Sequence, residues 1–284
     1  MINHGLLYVS DLDGTLLDGS GKLSDFSRKN LKRLLDAGLN FTVASARAIN
    51  EIQPVLGDLP IKLPVIAING AYLTDYKTGK HLIINHLPDE TAKAIFAAIR
   101  KMNLWPFVCT FNGREDCLYY QTLTHPAMRW YCQALSALDD KRLRQTPNLA
   151  GVLNETVISL AVMGDREPVG EIAAALDEQF TGQLENFYFE NPYSPGWWWL
   201  TIHDKKACKS IALRELLEMT GFKREQVTVF GDHINDIRML ELAANAVAVE
   251  NAEEKVKMIA DEIIGTNDND SVVKYLLEKL KDEK

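Results

Sequence analysis

Apolar residues first gather at Gly5–Val9, a run that meets Ser10-Asp11-Leu12-Asp13-Gly14-Thr15 without a gap. A short apolar run closed by a turn signal predicts a strand buried on both faces of a parallel sheet. Ser24 to Ala37 then carries Leu31, Leu34 and Leu35 at helical spacing, and Gly38 closes it. A second strand is predicted at Asn40–Ala44 and a short helix around Ala48 to Leu56. Pro60 and Pro64 punctuate the loop before a third strand, Val65–Ile68, which ends in Asn69-Gly70-Ala71 at the same sheet edge. Strand and helix in alternation predict a doubly wound α/β core with helices on both faces of a parallel sheet.

From Tyr72 the rhythm changes. Tyr72–Thr74 and Leu82–Ile84 flank Tyr76-Lys77-Thr78-Gly79 as a hairpin. A helix over 91–102 precedes a strand at 106–111, and Asn112-Gly113 offers a tight turn into 117–121. Further on, the pattern predicts helix 126–138, strand 156–163, helix 168–180 and strands 184–190 and 197–202. Two hairpin-like pairs with intervening helices describe an antiparallel α+β insert. The alternation returns with helix 207–220, strand 227–231, helix 234–243, strand 246–249 and two closing helices. The expected layout is a discontinuous core, 1–85 with 203–284, interrupted by an inserted domain at 86–202.

The predicted first strand carries the chemistry at its end, where open α/β sheets place their ligand sites. Asp11 and Asp13 are two residues apart, so in extended chain they share a face while Leu12 turns into the core. Unpaired buried charge is very costly, so a cation is expected between them, and a bound metal ion is the simplest choice. Gly14 lets the chain leave the strand sharply, and Thr15 offers a hydroxyl to position a neighbour. Asp-Gly alone would read as a turn cap; the apolar strand before it and Thr-Leu-Leu after it favour a site.

Length and composition narrow the class. At 284 residues the chain exceeds the usual single domain, while 46% hydrophobic and 25% charged residues describe an ordinary soluble globular protein. A net charge of −8 argues against nucleic acid or an anionic membrane as partner, but not against a small anionic substrate. Cys109, Cys117, Cys132 and Cys208 show no CxxC pair and read as reduced packing residues. Met1–His4 lacks a basic region followed by a long apolar segment, and no run approaches a membrane span. A cytoplasmic location is expected.

Four ordered motifs between residues 11 and 236 make the chain resemble the haloacid dehalogenase (HAD) superfamily. Asp11–Thr15 has the form DxDGT of its first motif, and Ser45 stands at the tip of the second strand. Ala46 replaces the glycine usual after that serine, a departure expected to narrow the phosphate pocket slightly. Lys209-Ser210-Ile211-Ala212-Leu213 looks like the third motif; Lys205 and Lys206 are rivals, but the spacing to Gly221 and the Ala-Leu neighbours favour Lys209. Gly231-Asp232-His233-Ile234-Asn235-Asp236 matches GDxxND, the fourth. The resemblance implies a Rossmann-like HAD core with a C2B-type cap of the Cof-like branch, closing over substrate through linkers near 84–88 and 201–206.

By that resemblance Asp11 is the nucleophile that forms an aspartyl-phosphate, and Asp13 protonates the leaving alkoxide and then activates water. Mg²⁺ would be held by the Asp11 carboxylate, the Asp13 backbone carbonyl and the Asp232 carboxylate. Ser45 and Lys209 would bind phosphoryl oxygens, Asn235 would hydrogen-bond phosphate or orient a ligand, and Asp236 would act through a metal-bound water or by positioning Lys209. Arg47 is a candidate partner for a carboxylate, and Asn69 for substrate or the Asp13 region. His233 reads equally as a substrate contact or a surface residue. Trp197 and Trp199 share a strand face opposite Trp198, more in keeping with packing inside the insert than with stacking on a sugar. The expected activity is Mg²⁺-dependent hydrolysis of a small phosphorylated metabolite, most simply a sugar phosphate. A phosphomutase of the same superfamily and a non-turnover phospho-accepting regulator are the alternatives. Dehalogenation, which does without the second Asp, is more distant.

Overall fold

The computed structural model describes residues 5–191 and 194–282, with side chains as far as Lys279. The reading of Met1–His4 and the Pro192-Tyr193 part of the loop before the tryptophans lie outside the described residues. In chain order the elements are β1 (Leu7–Ser10), α1 (Asp25–Asp36), β2 (Asn40–Val43), α2 (Ile49–Leu56), β3 (Val65–Ala67), β4 (Tyr72–Thr74) and β5 (His81–Ile84). Next come α3 (Asp89–Lys101), β6 (Phe107–Phe111), β7 (Asp116–Tyr120), α4 (Pro126–Ala137), β8 (Leu143–Gln145), β9 (Thr156–Gly164), α5 (Arg166–Gln179), β10 (Leu184–Glu190) and β11 (Trp198–Asp204). The last are α6 (Lys209–Thr220), β12 (Val227–Gly231), α7 (Ile237–Leu242), β13 (Asn245–Val249), α8 (Glu254–Lys257), β14 (Glu262–Ile264) and α9 (Ser271–Asp282). The chain divides into two compact units: residues through Ile84 together with Ala207 onward, and Asn85–Lys206.

The first unit is built on a parallel sheet in the order β14-β13-β12-β1-β2. β1 lies between β12 and β2, and its Leu7 and Val9 are fully buried, as expected for a strand flanked by helices. Its register sets Ser10 beside Phe230 of β12 and beside Val43 of β2. The residues just past those partners are Asp11, Asp232 and Ser45, so three distant segments deliver polar side chains to one sheet edge. Because β1 has neighbours reached by opposite crossovers, this edge is the switch point of the sheet.

β3 departs from the expected parallel ladder. It pairs antiparallel with β4, which pairs with β5, and runs parallel to the end of β2 through the Ala44–Ile66 bridge and the Ser45 N–H on the Ile66 carbonyl at 2.9 Å. Pro64 has no N–H to give; its carbonyl accepts the Thr42 hydroxyl at 2.6 Å instead. β14 replaces part of the expected helical ending and pairs parallel with β13. Three residues at a sheet edge give too short a pattern to announce a strand. The expected helix over 234–243 is a single 3₁₀ turn followed by α7.

The second unit is a six-stranded sheet, β10-β11-β9-β6-β7-β8, antiparallel except where β7 meets β8. β8 has no alternating pattern in Leu-Arg-Gln and was not expected. On one face Val108, Leu160, Val162, Leu200 and Ile202 bury against Ile95 and Ile99 of α3 and Ile172 and Leu176 of α5. Trp198 points to this face and packs on Tyr188, with the Arg166 guanidinium 4.9 Å from its ring centre. Trp197 and Trp199 turn the other way and meet α4: Trp130 lies edge-on to both, and Tyr131 edge-on to Trp199 at 4.8 Å. The tryptophan run is thus packing on both faces of one strand. All four cysteines are free and buried. No helix among the described residues is long and apolar enough to cross a membrane.

Candidate active site

Immediately after β1 the chain makes one tight turn over Leu12–Leu16, closed by the Leu17 N–H on the Leu12 carbonyl at 2.9 Å. Gly14 sits at φ +77°, and a Cβ there would run into the Asp232 carboxylate, so only glycine lets the first and fourth motif turns touch. Thr15 donates its hydroxyl to Asp232 Oδ1 at 2.7 Å. The hydroxyl anticipated as a positioning group therefore holds a carboxylate from 217 residues away.

Lys209 opens α6 and is 1% exposed. Its Nζ donates to Asp11 Oδ1 at 2.5 Å and to Asp236 Oδ1 at 2.7 Å. Lys205 and Lys206, the rivals in the sequence, are exposed. Close packing brings α6 to the site: a Cβ on Gly70, after β3, would lie 2.5 Å from the Cys208 carbonyl. Asp236 spends its other oxygen on the backbone N–H groups of Asp232 (3.1 Å) and His233 (3.2 Å). It is fully buried and ties the lysine to the Asp232 turn.

Asp11, Asp13, Ser45, Ala46, Asp232, His233 and Asn235 line a cavity of about 190 Å³. Asp13 is clamped by Arg47, whose Nε donates to Oδ2 at 2.8 Å and Nη2 to Oδ1 at 2.5 Å. Ser45 is 1% exposed. Its Oγ accepts the Arg47 N–H at 3.1 Å, a turn that aims the guanidinium at Asp13. Asn235 donates to Asn69 Oδ1 at 3.0 Å, while its own Oδ1 is buried with no hydrogen-bond partner among the described residues. Asn69 therefore backs Asn235, not the Asp13 region. His233 faces Glu253, with Nε2 2.8 Å from Oε1.

The electrostatics are uneven. Carboxylate oxygens of Asp11, Asp232 and Asp236 all lie within 4.8 Å of one another, against one ammonium. Burial raises the Asp11 carboxyl well above its ordinary 3.8, against the pull of Lys209, and Asp236 and Asp232 add to the rise. Burial also pushes Asp232 up to about 6, helped by Asp236 and opposed by the Thr15 hydroxyl and Lys209. Burial opposes the charge on Lys209, but Asp11 and Asp236 outweigh it and hold the ammonium charged. Carboxylates that resist ionising beside a charged lysine still lack positive charge. An all-oxygen donor set of this kind fits a hard divalent cation such as Mg²⁺. Asp236 has both oxygens committed, so Asp11 and Asp232 are the better-placed carboxylate ligands.

Two contributors were missed in the sequence. The Asn251 side-chain amide donates to the Gly14 carbonyl at 2.7 Å, and the Glu253 N–H to the Asp232 carbonyl at 2.9 Å. Neither belongs to a motif. Their signal was positional: both follow β13, a further parallel strand whose carboxyl end opens on the same edge.

Comparison with known proteins agrees with this geometry. Residues 8–276 match the haloacid dehalogenase-like hydrolase family. The pyridoxal phosphate phosphatase YbhA of Escherichia coli is 28% identical over 95% of this chain and 97% of its own length. The 5-amino-6-(5-phospho-D-ribitylamino)uracil phosphatase YwtE of Bacillus subtilis is 27% identical over 95% and 96%. Among solved structures, a haloacid dehalogenase-like hydrolase from Bacteroides thetaiotaomicron superposes with a TM-score of 0.80 at 26% identity, covering 96% of this chain and 98% of that one.

Proposed function

The chain belongs to the haloacid dehalogenase-like hydrolase family, and we propose that it is a Mg²⁺-dependent phosphatase of small phosphate monoesters working through phosphorylated Asp11. The observation that carries this reading is the charged, buried Lys209 bound to Asp11 beside Asp13 and Asp232 on one small cavity. A carboxylate held by a buried ammonium is poor packing but a good nucleophile for an anionic phosphoryl group, whose oxygens the same ammonium can neutralise.

In this reading an Asp11 oxygen attacks phosphorus and the ester P–O bond breaks as Asp13 gives its proton to the leaving oxygen. Asp13 then takes a proton from water, the water oxygen attacks phosphorus, and the Asp11–phosphorus bond breaks to release inorganic phosphate. Ser45 and Lys209 hold phosphoryl oxygens, and the unpartnered Asn235 Oδ1 accepts a donor from substrate or water. Arg47 holds Asp13 in place between turnovers. Mg²⁺, held by the Asp11 and Asp232 carboxylates and the Asp13 backbone carbonyl, would supply charge neutralisation at the transferring phosphoryl group. Asp236 positions Lys209, Thr15 orients Asp232, and Asn69 orients Asn235.

Residues 85–206 contain none of these groups, and we assign that unit to selecting the leaving group. Sugar phosphates are the first substrate class to try. The names of two relatives, for pyridoxal phosphate and for a phospho-ribitylamino uracil, add phosphorylated nitrogen heterocycles to it. Phosphate release across a panel of both classes, with Mg²⁺ and with chelator, tests the reading. Metal-dependent release of inorganic phosphate is expected. Transfer of the phosphoryl group back to a sugar, or equal rates in chelator, would overturn it.

A further inference from the structure

We infer that Asn251 is a positioning residue that sets the separation of the two acid-bearing turns, and through it the affinity of the divalent-ion site. The inference rests on the reading that Asp11 and Asp232 hold that ion. Asn251 is exposed, outside every motif, and does not line the cavity. Its amide nevertheless donates to the Gly14 carbonyl at 2.7 Å, while its Oδ1 accepts the Asn267 N–H at 2.9 Å. Asn267 in turn donates to the Leu17 carbonyl at 2.8 Å. The middle and the far end of the turn that carries Asp13 are thus tied to the segment after β13 and the loop before α9.

The same segment reaches the other turn. Two residues beyond Asn251, the Glu253 N–H donates to the Asp232 carbonyl at 2.9 Å. A span of three residues therefore holds one main-chain carbonyl from each acid-bearing turn, and those turns touch where Gly14 meets the Asp232 carboxylate. The Gly14 carbonyl belongs to the peptide that leads into Thr15, whose hydroxyl orients Asp232 Oδ1. Freeing that peptide loosens Thr15 and lets Asp232 drift from Asp11. The exposed Asn251 side chain makes just these two bonds among the described residues, so its loss should disturb the ion site more than the fold. Metal ligands require placement within a fraction of an ångström, which makes the ion site the sensitive reporter.

The test compares wild type, Asn251→Ala, Asn269→Ala and Asp232→Asn by calorimetric titration with Mg²⁺ alone, and by thermal unfolding in chelator. Asn269 is an exposed neighbour whose side chain bonds Thr266 and not Gly14. Asn251→Ala removes two hydrogen bonds, and loss of the one to Gly14 is expected to weaken Mg²⁺ binding by about 5- to 10-fold. Its unfolding temperature in chelator should stay within about 2 °C of wild type, and Asn269→Ala should match wild type in both. Raising Mg²⁺ should restore the kcat of Asn251→Ala to within about twofold. Wild-type affinity in Asn251→Ala, or weakened affinity accompanied by an equal loss in Asn269→Ala or by a large fall in metal-free unfolding temperature, overturns the inference. If wild type binds no Mg²⁺, or Asp232→Asn binds as well as wild type, the ion-site reading itself fails and takes this inference with it.

Discussion

Lys209 and His203 are both buried bases, at 1% and 3% exposure, yet they sit in opposite charge states. Lys209, in the first unit, is flanked by Asp11 and Asp236 and stays charged. His203, in the second, lies on β11 with Phe187 edge-on at 6.1 Å and an Nδ1 that has no hydrogen-bond partner among the described residues. Burial alone lowers it to about 4, so it is neutral near pH 7. Burial opposes charge at both positions; the surrounding carboxylates decide the outcome. The first unit gathers three carboxylates around one buried ammonium at a sheet edge, where chemistry needs them, while the second surrounds His203 with apolar and aromatic packing and keeps its largely buried Arg142–Asp140 pair matched one to one.

The largest effect that sharpens this contrast is on turnover. Asp11→Asn leaves the cluster's shape but removes the nucleophile, and kcat on an aryl phosphate should fall by at least about 10³-fold. Asp13→Asn should lower turnover by about 10²- to 10⁴-fold and leave phosphate covalently on Asp11, detectable by mass spectrometry of the intact protein. Full activity in either variant would remove the first unit's claim to be the reacting region. Lys209→Met comes next. Taking one partner from a buried ion cluster costs about 3–5 kcal/mol because the remaining charge is stranded. Chemical denaturation in chelator should show a loss of that order; a loss below about 1 kcal/mol would mean the cluster is far wetter than its burial implies.

The acid cluster also predicts a pH response. Asp232 rises from 3.8 to about 6 in the fold, so between those values the folded protein binds more protons than the unfolded one. Metal-free stability should therefore fall as pH rises through that window, and Asp11, raised by burial in the same direction, adds to the fall. Mg²⁺ must displace the Asp232 proton, so its affinity should climb as pH rises through that window, by up to about tenfold per pH unit for that proton. Calorimetric titrations from pH 5 to 8 measure this directly. Affinity independent of pH across that range would place the ion elsewhere.

The first unit was the more legible of the two, and the reason is local. Its strand ends are marked by charged or hydroxylic residues directly after apolar runs, as at Val9 to Asp11 and Phe230 to Asp232, and such breaks are visible without knowing the partners. What was not legible was who holds whom. Thr15 on Asp232, Arg47 on Asp13 and Asn251 on Gly14 are contacts across the fold, set by the parallel registers of β1 with β12 and β2 and of β12 with β13. Spacing along the chain contains no trace of them. β14 and β8 escaped because each is three residues long and takes its strand conformation from a neighbour. The tryptophan run shows the converse: simple alternation placed Trp197 and Trp199 opposite Trp198, but their partners on α4 and α5 needed the tertiary structure.

The smallest effect falls on His203, and it probes the second unit's half of the contrast. Replacing it by phenylalanine removes a buried polar atom that lacks a partner and keeps a planar ring of similar size. At pH 7 the histidine is neutral, so His203→Phe should change stability by no more than about 1 kcal/mol, in either direction. Acid separates the two proteins. The unfolded histidine takes a proton below its ordinary 6.5, while the folded one holds out to about 4. Across that window the unfolded state binds the extra proton, so wild type loses stability as pH falls, by up to about 1.4 kcal/mol per pH unit. The phenylalanine variant has no such group and should lose correspondingly less between pH 6.5 and 4, read by urea denaturation at fixed pH steps. Parallel acid curves for the two proteins would show that His203 finds a counter-charge when protonated, and the contrast with Lys209 would then fail.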